Sequence, residues 1–288
     1  MWSDGLARAQ ALVQANRPEL ALKELARLPA AEGTSQVAFK IRTAALLNMK
    51  RWGPAIQAAH QGLAEGPDAD LFADLGGALS EVGDHDEAEQ WLWQGLALSP
   101  QNVRLLCFYA NHCVRTDRIR DAVEFVGRAA AVDPHDSLVY AVRIQVALAE
   151  GKKSQAQRIS EEYLAEYPEE ARAHLMHGAV AGRRGRLAAA YSSLGLAVAH
   201  DPADQTLARA AVQTRVFTHP LLMPVRPLYR LGLVGNYVLL IVVVAVVCGL
   251  GGPPWALAAG GIWFAYNLYG RAVLAFLRWR DERRAAAR

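Results

Sequence analysis

The residues best suited by type and spacing to chemistry are two histidines. His174 and His177 stand three apart in "ARAHLMHGAV", and on one helix that spacing brings both imidazoles to one side, where they can share a metal ion. A second candidate is "HDEAEQW" over residues 85–91, which sets Asp86, Glu87 and Glu89 at a helix start. Carboxylates in that position favour the helix dipole, so a structural role is expected of them. The sequence holds no glycine-rich phosphate loop, no nucleophile elbow and no cysteine pair with zinc spacing. Cys107, Cys113 and Cys248 are too few and scattered for a disulfide framework, which points to a reducing compartment. No enzyme, cofactor or metal is expected.

The elements that carry these residues follow from composition and period. Of 288 residues, 52% are hydrophobic and 20% charged, as in a folded protein. The net charge of +3 is unevenly spread. Residues 1–204 hold 21 Lys and Arg against 26 Asp and Glu, whereas residues 205–288 hold 10 arginines against 2 acids. Two environments are implied, and the acidic first part has the wrong sign for nucleic acid. The opening "MWSDGLARAQALVQANRPEL" lacks an apolar run long enough for a signal sequence, so the first domain is expected in the cytosol.

Pro67, Pro100, Pro134, Pro168 and Pro202 recur at intervals of 33, 34, 34 and 34 residues. Each closes a similar phrase: "GLALSPQN", "AAAVDPHD", "YLAEYPEE", "AVAHDPAD". Between prolines the chain reads as two amphipathic helices with a short break, as at Gly83 and Asp84 in "LFADLGGALSEVGDHDEAEQWLWQGLALSP". Proline lacks the amide a helix interior needs and pushes its predecessor out of helical geometry, so it ends each second helix. Asn102, Asp136 and Asp204, two residues later, are placed to cap the next one.

This pattern resembles the tetratricopeptide repeat, with Phe72, Leu75, Gly76, Leu79, Ala88, Leu92, Gly95 and Pro100 at its characteristic places. The same frame gives repeat starts at Trp2, Gln36, Ala69, Val103, Ser137 and Ala171, with the close-packing alanine at 21, 55, 88, 122, 156 and 190. Arg143 at a usual leucine and Tyr163 at a usual alanine lead us to expect altered packing in the fifth repeat. His174 and His177 take the repeat's bulky-residue and leucine places, which argues for packing over metal ligation. The resemblance implies an all-α, right-handed superhelix of about six repeats plus a capping helix, over residues 1–217.

It also implies that extended peptides or a partner's helix dock on a groove lined by the first helix of each repeat. The exposed places there are Lys40, Asp70, Asp74, Glu81, Arg104, Phe108, Asn111, Arg115, Val142, Gln145, Arg172, Met176 and Arg183. Asn111 with Arg104 and Arg115 can hold a carboxylate, while Phe108 and Met176 are large apolar groups on a binding face. The Lys/Asn/Arg clamp of chaperone-binding members is incomplete, so no chaperone partner is expected.

Residues 218–230, with Pro220, Pro224 and Pro227, read as a linker. Leu231 to Leu250 is free of charge, and twenty residues at about 1.5 Å each span a hydrocarbon core. "GGPP" turns the chain into a second apolar segment, completing a transmembrane hairpin over 231–277 and leaving a basic tail at 278–288. All-α architecture with two transmembrane helices is thus expected. Arg215, Arg226 and Arg230 before it, and Arg271, Arg278, Arg280, Arg283 and Arg284 after it, put both termini in the cytoplasm. They are also placed to touch anionic lipid. Asn236 and Asn267 fall at similar depth for a cross-helix hydrogen bond, Arg271 can snorkel to the headgroups, and Ala256, Ala258, Ala259, Gly260 and Gly261 can form a close-packing face against the partner helix or another subunit.

The expected function is that of an adaptor anchored in a bacterial inner membrane, binding a protein or peptide in its groove. The rival is a structural or assembly subunit of a transport or secretion complex, with the hairpin as its main contact.

Overall fold

A computed structural model describes residues 4–201 and, beyond them, 211, 238, 241–242, 244–246, 260–270, 272–273 and 275–276. The chain divides into two compact units, Met1–Val180 and Ala181–Arg288. Among the described residues there is no strand. Helices run in pairs: α1 (Asp4–Gln14) with α2 (Pro18–Ala26), α4 (Gln36–Asn48) with α5 (Trp52–Ala64), and α6 (Ala69–Val82) with α7 (His85–Leu98). They continue as α8 (Val103–Arg115) with α9 (Ile119–Val132), α10 (Ser137–Ala149) with α11 (Lys153–Glu166), and α12 (Ala171–Arg183) followed by α13 (Leu187–His200). One short turn of helix, α3 (Ala30–Gly33), is inserted before α4 and had no signal in the repeat frame. The expected starts at Gln36, Ala69, Val103, Ser137 and Ala171 are the first residues of α4, α6, α8, α10 and α12. Trp2 lies outside the described residues.

Capping explains why the register is so regular. Asn102 accepts from the Leu105 amide at 3.0 Å, and Asp136 accepts from Leu138 and Val139 at 2.8 and 3.1 Å. Asp68 does the same for α6, one residue after its proline because that interval is shorter. Asp204 lies outside the described residues.

The break between paired helices has its own rule. Asn16, Lys50, Gly83, Asp117, Gly151 and Gly185 all take positive φ, from 52° to 93°. At each, the next amide donates to the carbonyl five residues earlier at 2.8–3.0 Å, which closes the first helix in a Schellman-type turn. Half of these positions hold a side chain, so the glycine that marks the third repeat is a poor guide to the rest.

Close packing supplies the stability that capping cannot. Ala21, Ala55, Ala88, Ala122 and Ala156 are fully buried, and Ala190 nearly so. A Cβ added at Gly62 would lie 2.7 Å from Leu71 and 2.9 Å from Phe39, and one at Gly95 would lie 2.6 Å from Leu105 and 2.8 Å from Phe72. These glycines therefore let a second helix touch both its own partner and the next repeat. The largest core cluster joins Phe72, Leu92, Leu105, Leu106, Phe125 and Val139 across three repeats. Each such leucine or phenylalanine contributes about 1.5–3 kcal/mol by leaving water.

The fifth repeat keeps its helix pair despite Tyr163 and Arg143. Tyr163 is fully buried and stacks on Tyr140 at 5.2 Å with planes 5° apart, while Arg143 lies over the Tyr140 ring at 5.7 Å. The repacking expected there is thus an aromatic stack that accommodates the larger side chain. In the second unit, Ala190, Leu194 and Ala197 form the buried face of α13.

Residues 260–270 are helical and expose Ile262, Phe264 and Leu268. No helix among the described residues is long and apolar enough to cross a membrane. The capping helix and linker (205–230), most of the first span, the "GGPP" turn and the basic tail lie outside the described residues.

Candidate partner-binding groove

Within the first unit, the first helices α6 and α8 line a cavity of about 300 Å³. Phe108, Arg104, Asn111 and Arg115 from α8 meet Gly77 and Glu81 from α6, with Leu47, Asn48 and Trp52 at one side and Leu138 and Arg172 at the other. Phe108 fits because α6 has no side chain at position 77: a Cβ there would lie 2.5 Å from its ring. Arg104 covers the same ring at 5.4 Å. An apolar floor with cationic and amide groups beside it can hold a peptide side chain and its backbone together.

The charges around it are arranged differently from the expected clamp. Arg104 Nη2 donates to the carboxylate of Asp74, which is only 4% exposed. Burial pushes the Asp74 carboxyl above its ordinary range, and the neighbouring Arg104 opposes that rise. The Asp74 charge in turn raises Arg104 further. Arg115 donates to Glu81, and both are part-exposed. Arg104 and Arg115 therefore do not stand free on either side of Asn111, because each is engaged by an acid from the preceding first helix. Lys40 on α4 is paired in the opposite sense, reaching forward to Asp70 on α6 at 2.8 Å and to its N-cap Asp68 at 3.0 Å. Burial alone would lower Lys40, but the two carboxylates outweigh it; burial would raise Asp70, and Lys40 outweighs that.

What remains available is smaller and more specific. Arg104 Nε and His112 Nε2 are buried without a hydrogen-bond partner. Arg172 is exposed at the cavity edge. His112 Nδ1 lies 3.3 Å from Ser80 Oγ.

Other expected site residues fall elsewhere. Met176 packs half-buried against the Tyr140 cluster and does not line the cavity. Val142, expected on the groove, is fully buried, packed in the largest core cluster with Val139 and Val146. Arg183 is exposed on the last turn of α12, in the second unit. Asn267 donates to the Trp263 carbonyl at 2.9 Å, one turn back on its own helix, while Asn236 and Arg271 lie outside the described residues.

The chemically suggestive groups have structural partners. His174 is buried and donates through Nε2 to the Pro168 carbonyl at 2.8 Å, consistent with the packing role. Among the described residues no set of three metal-ligating side chains converges. Glu89 is more than dipole decoration: it accepts from Tyr109 at 2.8 Å and from Arg118 at 2.7 Å, tying α7 to α8 and to the N-cap of α9. Nothing in its local sequence marks those partners, 20 and 29 residues away. Cys107 and Cys113 are buried, and burial pushes their thiols up to about 12 and about 11, which removes them as nucleophiles near neutral pH.

Fold and cavity together define an all-α protein of stacked helix pairs, with a cavity lined mainly by residues of the first helices. Residues 79–146 match the family described as Tetratricopeptide repeat. Among curated proteins, none matches the sequence. Solved structures share the fold at low identity. A thermophilic tetratricopeptide repeat protein of Thermus thermophilus, TTC0263, is 16% identical with a TM-score of 0.58, over 63% of this chain and 99% of that one. A tetratricopeptide repeat protein from Parabacteroides merdae ATCC 43184 is 14% identical with a TM-score of 0.61, over 73% and 83%. PilW, a type IV pilus biogenesis factor, is 16% identical with a TM-score of 0.52, over 71% and 96%. Tetratricopeptide repeats generally mediate protein–protein interaction.

Proposed function

We propose that this protein is a non-catalytic adaptor, anchored in the cytoplasmic membrane through residues 231–277, that holds an extended peptide or helix of a protein partner in the α6–α8 groove. The observation that carries the reading is the Phe108 cavity, whose buried Arg104 Nε still has a proton to donate. Anchoring is supported by the charge-free stretch 231–250 and by the exposure of Ile241, Ile262 and Phe264, at 67%, 72% and 63%. Such side chains favour lipid over water. The juxtamembrane arginines would then face anionic headgroups, both termini would be cytoplasmic, and the small residues at 256–261 would allow a homo-oligomer through the hairpin. Tethering raises the local concentration of whatever the groove holds.

Two measurements test this. The full-length protein should stay with membranes through a carbonate wash; release would remove the anchor. Detergent-solubilised protein should recover a partner whose yield falls about tenfold in both Phe108→Ala and Asn111→Arg. Equal recovery would move the binding face away from α8. Exchanging 231–277 for an unrelated hairpin should leave recovery intact, whereas loss of it would favour the rival reading of a membrane-complex subunit.

A further inference from the structure

A second site lies where the second helices α9 and α11 meet the first helix α10, on residues that the groove does not use. Three registers of the repeat meet wherever one second helix packs beside the next. The first is held by His60, Trp93 and Gly127, the second by Trp91, Phe125 and Ile159, and the third by Leu75, Tyr109 and Arg143.

In the first such junction the His60 ring packs edge-on against Trp91 at 5.4 Å and 72°. In the next, the Trp93 indole packs edge-on against Phe125 at 6.0 Å and 84°, and against Tyr109 at 5.1 Å. In the third junction the three registers hold Gly127, Arg143 and Ile159, and the ring is missing. A cavity of about 180 Å³ takes its place, lined by Val123, Val126, Gly127, Arg143, Val146 and Ile159. A Cβ built at Gly127 meets nothing within 4 Å.

The rim of this slot has a defined charge. Glu150, also at its edge, is occupied by Lys152 at 2.7 Å. Arg143 rests one face on Tyr140 and makes no ion pair among the described residues. The slot therefore offers an apolar recess of the kind that the same fold fills with an indole one repeat earlier, and an unmatched cation beside it.

We propose that this slot receives an aromatic side chain, an indole above all, presented by an acidic segment of a partner protein, with a neighbouring carboxylate on Arg143. Edge-on contact with Val126 and Ile159 would replace the contacts that Trp93 makes with Phe125, and Arg143 would supply a charge-assisted bond in place of the Tyr109 contact.

The test uses full-length protein with labelled Ile and Val methyls and the peptide acetyl-Glu-Trp-Glu-amide. Saturable shifts are expected at Val123, Val126 and Ile159, with about tenfold weaker binding for the peptide with alanine in place of tryptophan. Gly127→Trp, which carries its own indole into the slot, should abolish those shifts. Arg143→Glu should reverse the preference, favouring acetyl-Lys-Trp-Lys-amide over the acidic peptide. Shifts that persist in Gly127→Trp, or an unchanged charge preference in Arg143→Glu, would overturn the proposal. So would shifts confined to other methyls. If Gly127→Trp does not fold, the Arg143→Glu comparison decides alone. Groove variants such as Asn111→Arg should leave all of these shifts in place, which separates this site from the groove.

Discussion

Arg104 on α8 donates to the buried carboxylate of Asp74 on α6, thirty residues earlier, and so converts the expected free cation of the groove into one half of an internal pair. Arg115 with Glu81 repeats that relation between the same two helices, and Lys40 with Asp70 reverses it, the cation standing on the earlier helix.

The pair sets the first prediction. Removing Arg104 strands a buried acid, so Arg104→Ala should cost about 2 kcal/mol, less than a fully buried pair because the guanidinium meets water. Asp74 already has a raised pKa, so its ionised form is disfavoured in the fold. A carboxyl whose folded pKa exceeds its unfolded one favours folding at low pH and loses that advantage as pH rises through the folded value. The deficit of Arg104→Ala in urea unfolding should therefore shrink between pH 7 and pH 5. Asp74→Asn should be milder than Arg104→Ala at pH 7.

His112 provides the opposite slope. Its pKa is lowered, first by burial and then by the Arg118 charge, so the folded protein holds it neutral while the unfolded chain takes up a proton. Stability from this group is present above the unfolded value of about 6.5 and declines as pH falls through it. Denaturant midpoints at pH 7.5 and 5.5 should show a smaller acid loss in His112→Gln than in the parent protein.

The left-handed turns set a third expectation. Lys50 carries a side chain at φ 55°, where an L-residue is strained by about 1–2 kcal/mol. Glycine relieves this at some entropic cost, so Lys50→Gly should stabilise by up to about 1 kcal/mol. Asp117→Gly should give less, since aspartate tolerates that region better. Gly83→Val should lower the midpoint.

Two glycines should respond in opposite ways to one methyl group. A Cβ at Gly95 would crowd Phe72 Cβ at 2.8 Å and Leu105 at 2.6 Å, so Gly95→Ala should cost about 1–3 kcal/mol. Gly127 faces open space, and Gly127→Ala should instead stabilise by about 0.5–1 kcal/mol through helix propensity. Thermal unfolding of the two variants side by side checks both.

The parts legible from the chain alone are those governed by neighbours within one helical turn. Capping at Asn102 and Asp136, the proline stops and the small residues at 88 and 122 each act locally or at one repeated contact, so a 34-residue beat reveals them. That was enough to place the first residues of α4, α6, α8, α10 and α12. That Phe108, Arg104, Asn111, Arg115 and Arg172 share one side, where they line a single cavity, was legible for the same reason, because helical period dictates which side a residue takes.

Tertiary structure decided which of those side chains have spare chemistry. Whether Arg104 is free depends on Asp74 being folded against it, and whether Val142 lines a groove depends on the core cluster that closes over it. Likewise, Gly127 is an unremarkable helical glycine until Arg143 and Ile159 arrive around it without a ring. Local backbone preference acts over a few residues and leaves its mark in spacing. Pairing, burial and vacancy are sums over partners some thirty positions apart, and only the stacked chain brings those partners within reach.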